Sequence, residues 1–528
     1  MALKKVLPSL FSDFFDDTKV LFKVITFGNI LLLLPNRVVA QSTPTTPTIT
    51  TSSTTTTTLS ATDVDIGWTL INGALVMFMQ AGFAFLEAGS IRSKNVANIL
   101  LKIVMSVAIS TMAWFCIGYG FAYGDNQLTD TRNGFFGNSG FFLLGGDEPQ
   151  HVFFFQWAFA AVASSIVSGA VAERMNLSAF FMCSFIMTAF IYAPVAHWIW
   201  SSAGWLSGFN KTMFRVGNVG VTDYAGGIVV HLVGGVCGLV GSIMVGPRIG
   251  RFVNGRAVKI AGHNKTLVLL GGLILWFGWY GFNSGSTQAL SGGMSTITAF
   301  ASANTTIAGA AGAMMCMLWS CLQSGQYDLT ESLNGCLAGC VSITPVCAFV
   351  EGWAAVLIGA SGALVYIASN WLLEALRIDD PVSAVPIHAF CGAWGLITGG
   401  LFATQKQIAT YYGLDSNIEM YGLFYSLNWE LLGVNLLGIA IVLIWTAFSS
   451  VIMFFIIDIT IGLRVPPEDE LIGLDHKYGG HAYTLDDPHQ YGFGNSTSEN
   501  TAARSALKTA RTVNSHRTHR SGKSSRRM

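Results

Sequence analysis

The sequence predicts an all-α polytopic membrane protein: eleven transmembrane helices, built as a five-plus-five inverted repeat plus one long C-terminal helix. Three observations carry the prediction. Hydrophobic residues make up 52% of the 528 and charged residues only 11%, against roughly 25% charged in a soluble domain; mean hydropathy is +0.51. Eleven apolar runs, each of about 20 residues and so long enough to cross a hydrocarbon core as a helix, lie between Trp68 and Gly462. The fifth and tenth of these runs share a residue pattern.

Taken in order, the chain opens on different material. Lys4, Lys5, Lys19 and Lys23 precede an apolar stretch, Val24 to Leu34, and Val38-Val39-Ala40 offers small residues before Gln41. Residues 1–41 read as a signal peptide or, because the leading region is long, as an uncleaved N-terminal segment. Residues 42–64 are a Thr-rich extracellular linker with almost nothing apolar to pack. The membrane domain, 65–462, has runs centred near Met77, Ile109, Ala161, Ile186, Val236, Trp276, Ala310, Cys340, Leu364, Leu396 and Val442. Residues 463–490 read as a cytoplasmic regulatory tail and 491–528 as a basic disordered tail.

Charge sets orientation. With the first helix starting outside, nine Lys/Arg fall in inside loops (Arg92, Lys94, Arg174, Arg248, Arg251, Arg256, Lys259, Lys265, Arg377) and four outside (Arg132, Lys211, Arg215, Lys406). The bias predicts an outside N-terminus and a cytoplasmic C-terminus. Eight basic residues and no acid between 500 and 528 agree. Only 14 of the 29 Lys/Arg lie between Gln41 and Arg464, so no basic field for nucleic acid exists. The nine cysteines all sit in apolar stretches without a CxxC pair and read as free packing thiols. Asn210-Lys211-Thr212 is a glycosylation sequon on the outside face, while Asn264-Lys265-Thr266 falls inside.

The repeat is legible in two segments. Asp223-Tyr-Ala-Gly-Gly-Ile-Val-Val-His231 and Asp380-Pro-Val-Ser-Ala-Val-Pro-Ile-His388 each place Asp eight residues before His. Gly235 and Gly238 follow the first His at the spacing at which Gly392 and Gly395 follow the second; one turn on, Gly241 is matched by Thr398. Small residues at this spacing let a neighbouring helix approach closely. Five helices per half reverse direction from one half to the next, so each half contributes one intramembrane His at corresponding positions. Inverted repeats place a substrate site near the midplane where they meet. A single buried His is as often a helix-contact residue as a site; two at matched positions point to function. Asp223 and Asp380 each stand where a carboxylate caps a helix start, Asp380 ahead of Pro381. For Asp223, lending negative potential to a cation at the outer mouth stays open. Phe155 and Phe159 stand one turn apart, Trp279, Phe282 and Ser286 share a face of the sixth helix, and Trp200 ends the fourth. Packing and interfacial anchoring are the ordinary roles of such residues.

The segments Asp223 to His231 and on to Gly246-Pro247-Arg248, Trp276-Phe-Gly-Trp279-Tyr-Gly-Phe282-Asn-Ser-Gly-Ser286, Phe155-Gln-Trp-Ala-Phe159, Ala170-Val-Ala-Glu-Arg174 and Asp379-Asp380-Pro381 occur in order. Together they closely resemble the ammonium transporter family (Amt/Mep/Rh), on its Amt side, over about residues 64 to 484. The resemblance implies a homotrimer with a pore through each subunit, moving ammonium or ammonia and methylammonium, in the plasma membrane or an endomembrane. Phe159, Trp200 and Ser286 match the outer ammonium site and Asp223 the acid near it. Phe159 and Phe282 match a stacked phenyl gate, His231 and His388 paired pore imidazoles, and Trp279 a pore-lining indole. Gly462 to Glu470, Gly473-Leu-Asp475 and Gly479-Gly480-His-Ala-Tyr483 resemble the tail that in relatives docks under a neighbouring subunit and couples the pores, with Gly473, Asp475 and Tyr478 as regulatory positions. Here His476-Lys477-Tyr478 makes that stretch one residue shorter and lacks the threonine some relatives phosphorylate, and Ser383 stands where many relatives have an acid. Ser521, Ser524 and Ser525 lie among basic residues, a kinase-like setting.

The chemistry of these residue types is consistent. Aromatic faces hold a small cation by about 0.5 to 2 kcal/mol, whereas carrying it bare into low dielectric costs several kcal/mol or more. Ammonium sheds a proton and continues as neutral ammonia; Na⁺ and K⁺ have none to shed. Two other readings remain at this point: an ammonium sensor signalling through its tail with little transport, and a membrane enzyme using the two histidines, against which stands the lack of an accompanying nucleophile or carboxylate-rich ligand set. The sequence calls for no cofactor and no metal.

Overall fold

The computed structural model describes residues 60–124, 133–144, 149–210, 219–478, 480 and 482–483. The expectations for residues 1–41, for most of 42–64, for 491–528 and for Ser521, Ser524 and Ser525 lie outside the described residues. The membrane-embedded helices are α1 (Ala61–Ser90), α2 (Ser93–Tyr123), α3 (Gln150–Ala170), α4 (Leu177–Trp200), α5 (Gly227–Val245), α6 (Lys265–Thr287), α7 (Met294–Ser324), α8 (Leu329–Ile343), α9 (Gly352–Ala375), α10 (Val385–Phe402) and α11 (Glu430–Thr460). Among the described residues the only strands are two-residue ones, Phe252–Val253 and Arg256–Ala257, paired in the loop after α5. All nine cysteines are free, and seven are buried.

Ten of these helices are long and apolar enough to cross a membrane; α8 is not. Its apolar run gave an eleventh span, but the helix ends at Ile343 after 15 residues, about 22 Å at 1.5 Å per residue. A buried run of turns from Thr344 to Phe349, with Pro345 in it, follows. Non-helical backbone is tolerated at membrane depth only where neighbours satisfy it. They do so here: Tyr224 N donates to Pro345 O at 3.0 Å and Thr404 N to Phe349 O at 2.8 Å, and Asn304 Nδ2 donates to the Cys347 and Val350 carbonyls, each at 2.8 Å.

Helix starts follow local chemistry. Ser60 and Asp63 form a reciprocal capping box on α1, and Asn264 and Asp328 cap α6 and α8 through their side chains. Close packing follows small residues: a Cβ on Gly82 of α1 would meet Leu275 at 2.7 Å, and one on Gly271 of α6 would meet Leu86 N at 2.2 Å.

The inverted repeat shows in reciprocal contacts. A Cβ on Gly235 would meet the Ala389 backbone, just past His388, at 2.4 Å; a Cβ on Gly392 would meet Gly227 O at 2.3 Å and His231 Cβ at 3.2 Å. The two helices therefore cross antiparallel. Gly238 packs on Ala170 of α3, and its counterpart Gly395 on Ser342 of α8. Each His-bearing helix also begins with a six-residue π-turn, Gly227–Leu232 and Val385–Phe390. Thr398, where the glycine pattern lapses, donates its hydroxyl to Gly395 O at 2.7 Å.

At the end of the molecule that carries most of the loop arginines, buried ion pairs tie the connections together. Glu173, in a left-handed conformation (φ 70°), accepts from Arg92 Nε at 2.9 Å, Asn95 Nδ2 at 2.8 Å and Arg248 Nη1 at 2.5 Å. Arg248 also holds Asp379 bidentately, Nε to Oδ2 at 2.8 Å and Nη2 to Oδ1 at 3.0 Å. Burial pushes the Glu173 carboxyl up, but Arg92 and Arg248 reverse this and hold it at about 2. Asp379, likewise pushed up by burial, is pulled down by Arg248 and Arg174 to about 2.

The tail lies against this network. Arg464 bonds Glu470 Oε2 at 2.7 Å and the Val245 carbonyl at 3.0 Å, and Glu470 Oε1 accepts from Ile249 N at 2.7 Å. Asp475 accepts from Ala97 N at 3.1 Å and Asn98 N at 2.9 Å, capping a turn of α2 from outside the helix. Leu474 N donates to Asn95 Oδ1 at 2.8 Å, and Lys94 Nζ donates to Leu471 O. Gly473 (φ 112°) lies directly on Lys94, whose Cβ is 2.6 Å from where its own Cβ would stand. Tyr478 N donates to Asp475 O at 3.1 Å.

Candidate functional site

Aromatic and imidazole rings contributed by α3, α4, α5, α6 and α10 form a continuous column. Trp200, at the end of α4, meets Phe159 of α3 edge-on, with centroids 5.9 Å apart and planes at 84°. Phe159 stacks on Phe282 of α6 at 4.1 Å and 26°. Phe282 stacks on His231 at 5.3 Å and 22°, and His231 on His388 at 5.1 Å and 21°. Below His388 stands Phe83 of α1, at 6.3 Å. Trp279 flanks the column, stacked on His231 at 5.6 Å, with its indole N–H fixed by Thr344 Oγ1 at 3.0 Å.

The two imidazoles face each other through Nδ1 atoms 3.1 Å apart. One Nδ1 must carry the proton and the other accept it, so the pair cannot be fully protonated while this contact lasts. His231 Nε2 is buried and has no protein partner.

Above the ring column lies a cavity of about 160 Å³, lined among others by Phe155, Gln156, Phe159, Trp200, Ser286 and Tyr123. Ser286 Oγ donates to Phe282 O at 2.7 Å, leaving its lone pairs for an incoming N–H. The structure thus brings Trp200, Phe159, Phe282, His231 and His388 into one column, with Ser286 on the cavity above it and Trp279 beside it.

Asp223 stands apart from the cavity lining. Its two carboxylate oxygens accept from four backbone N–H groups, of Gly226, Gly227, Ile228 and Val229, at 2.6 to 3.0 Å. It caps α5, and its carbonyl fixes Trp200 by accepting the indole N–H at 2.8 Å. Asp380 does the same for α10, accepting from Val385 N at 2.7 Å. Ser383, at φ 57°, bonds Asn370 Oδ1 at 3.0 Å.

Asn210, expected as a glycosylation acceptor, has its side chain engaged in the folded chain, while Lys211 and Thr212 of its sequon lie outside the described residues. Asn210 is fully buried, and its Nδ2 donates to the Ala203 and Gly204 carbonyls at 3.2 and 3.1 Å. A sequon is a three-residue pattern and carries no information on burial; in the folded chain this amide nitrogen is committed to the loop that holds Trp205 and Leu206.

Sequence reasoning did not single out Phe83, Gln156, Tyr123 or Tyr411, all of which the structure brings to the column or cavity. The one available signal was the polar Gln156 inside an aromatic run.

The chain is similar to known proteins over most of its length. The model of the Ammonium Transporter Family matches residues 67–483. Ammonium transporter 3 of Dictyostelium discoideum is 40% identical over 428 residues, covering 80% of this chain and 95% of that protein. Ammonium transporter Amt2 of Archaeoglobus fulgidus is 40% identical over 416 residues, covering 78% and 86%. Among solved structures, Mep2 of Candida albicans superimposes with a TM-score of 0.69 at 28% identity, covering 81% of this chain and 92% of that one. A structure named Sensor Amt Protein gives 0.68 at 30% identity, covering 79% and 98%. With a family match across its membrane helices and relatives aligned over nearly their whole length, this multi-pass membrane chain belongs to the ammonium transporter family.

Proposed function

We propose that the chain takes up ammonium by recruiting NH4⁺ in the outer cavity, removing a proton there, and passing NH3 between Phe159 and Phe282 and along His231 and His388. The observation that carries this reading is the vertical order of the parts: cation-holding faces, then a closed phenyl pair, then two imidazoles in a buried core. Phe159 and Trp200 attract the cation by about 0.5 to 2 kcal/mol, and Ser286 accepts one N–H. Between the stacked rings and Phe83 the side chains of the column are those of Phe282, His231 and His388 with Trp279 beside them, none of them a carboxylate, so the species that proceeds is neutral. The Nδ1 contact supports an imidazole pair that is neutral or shares a single proton. The unpartnered His231 Nε2 offers ammonia a hydrogen bond where water would otherwise be needed. If the released proton follows the imidazoles the transport is electrogenic; if not, the net flux is ammonia.

Membership in a family of transporters removes the membrane-enzyme reading. The remaining features belong to the same proposal: a plasma-membrane homotrimer, its N-terminus outside and its tail cytoplasmic, with Gly473, Asp475 and Tyr478 in the coupling stretch. The sensor reading has one observation in its favour, the closely docked tail. Labelled methylammonium uptake with simultaneous current recording, in cells expressing the full chain, separates the two. Saturable accumulation that ammonium competes away is expected; binding without accumulation in protein that has reached the surface would leave only the sensor.

A further inference from the structure

Two residues lining the outer cavity each carry a buried oxygen with no hydrogen-bond partner among the described residues, Gln156 Oε1 and Tyr123 Oη. Gln156 is only 4% exposed. Leaving a buried amide or hydroxyl unpaired costs roughly 1 to 3 kcal/mol, and interiors rarely leave such groups without a reason. Both residues line one cavity, and that cavity is where the ring column opens.

The nearest acid does not fill the role of a polar ligand. Asp223 is saturated by four backbone N–H groups, and Ser286 offers one hydroxyl oxygen. An ammonium ion presents four N–H donors in tetrahedral directions. The faces of Phe159 and Trp200 receive positive charge without direction, and Ser286 receives one N–H, so at least one donor is left unmet. Gln156 follows Phe155 and stands three residues before Phe159, so its amide and the Phe159 ring share a face of α3.

We propose that Gln156 and Tyr123 complete the outer site as hydrogen-bond acceptors that distinguish ammonium from its alkylated analogues. The Gln156 amide has two orientations of equal shape; a cation in the cavity selects the one that turns Oε1 toward it. Tyr123 Oη accepts a second N–H. Methylammonium has one N–H fewer and turns its methyl group to the position with the least to lose, so it draws less on these two oxygens. The proposal rests on recruitment of ammonium at this cavity, as argued above.

The test uses the full-length protein in cells, with labelled methylammonium uptake, its competition by ammonium, and surface labelling to normalise. Gln156→Met, which keeps the volume and removes the acceptor, is expected to raise the half-saturating ammonium concentration about tenfold and that of methylammonium by a clearly smaller factor. Tyr123→Phe shifts the ratio the same way by less, and Gln156→Glu, which keeps an acceptor, leaves it intact or enlarges the preference for ammonium. Should Gln156→Met not reach the surface, Tyr123→Phe carries the comparison. Equal shifts for both substrates, or none, while Trp200→Leu weakens both, would mean that the two orphans only hold water, and the proposal falls alone. If Trp200→Leu also changes neither, recruitment at this cavity falls with it.

Discussion

His231 and His388 touch through like atoms of like rings, and this limits what each can do. With the Nδ1 atoms 3.1 Å apart, one ring is donor to the other, so the pair behaves as a single unit with one bridging proton. Replacing both with leucine leaves comparable volume and removes every hydrogen-bonding group from the column between Phe282 and Phe83. We expect His231→Leu/His388→Leu to assemble normally and to lose neutral ammonia conduction by at least an order of magnitude. Wild-type uptake by a surface-exposed double variant would refute the assignment. The histidines were legible in the sequence because the Asp-to-His spacing and the glycines after it recur 157 residues apart. The role of Asp223 was less so: a carboxylate beside a cation path and a carboxylate capping a helix look alike in sequence. Burial separates them, since all four acceptor directions of Asp223 are taken by α5.

At the scale of elements, long apolar runs gave ten of the helices because lipid and core demand the same composition over the same length. At α8 the apolar run continues past Ile343 as buried turns where the helix does not, and only partners such as Asn304 and Tyr224 reveal why the irregular backbone is tolerated. The π-turns under both histidines were not legible either: a change of hydrogen-bond register from i+4 to i+5 leaves no compositional trace. The tail is the element with the sharpest steric constraint. Gly473 combines φ 112° with backbone and side-chain atoms of Lys94 within 2.7 Å of a Cβ position, so any side chain there is strained twice. Gly473→Asp is expected to release the stretch 473–478 from α2 and to expose it to limited proteolysis in membranes. Unchanged cleavage kinetics would show that the docking tolerates the substitution. If the subunits of a trimer are coupled through this stretch, the variant also depresses uptake by co-expressed wild-type chains, whereas additive activity would mean independent pores.

Taken as a whole, the molecule pairs an apolar membrane body with a dense ionic clamp at one end. Glu173 and Asp379 are both held near 2, against ordinary values of 4.5 and 3.8. Because the folded values lie below the unfolded ones, the clamp contributes fully above about pH 4.5, and that contribution fades as pH falls toward 2. Each group accounts for about 2 to 3.5 kcal/mol at most. The thermal unfolding midpoint of purified protein is therefore expected to be flat from pH 7 to 5 and to drop between pH 4.5 and 2, with a shallower drop in Glu173→Gln. A midpoint that holds to pH 2 would place the stability elsewhere.

The reciprocal contact of Gly235 and Gly392 has a consequence for how the imidazole spacing is kept. Neither histidine is anchored by a hydrogen bond to the scaffold on the side facing its twin; what fixes their separation is how near α5 and α10 can come, and that is set by the absence of a methyl group on each helix. The two glycines act as a gauge with one jaw in each half of the chain. A methyl group on either jaw opens the same gap by the same route, although the two residues are far apart in sequence. The ring column is thus calibrated by two residues outside it, one from each half.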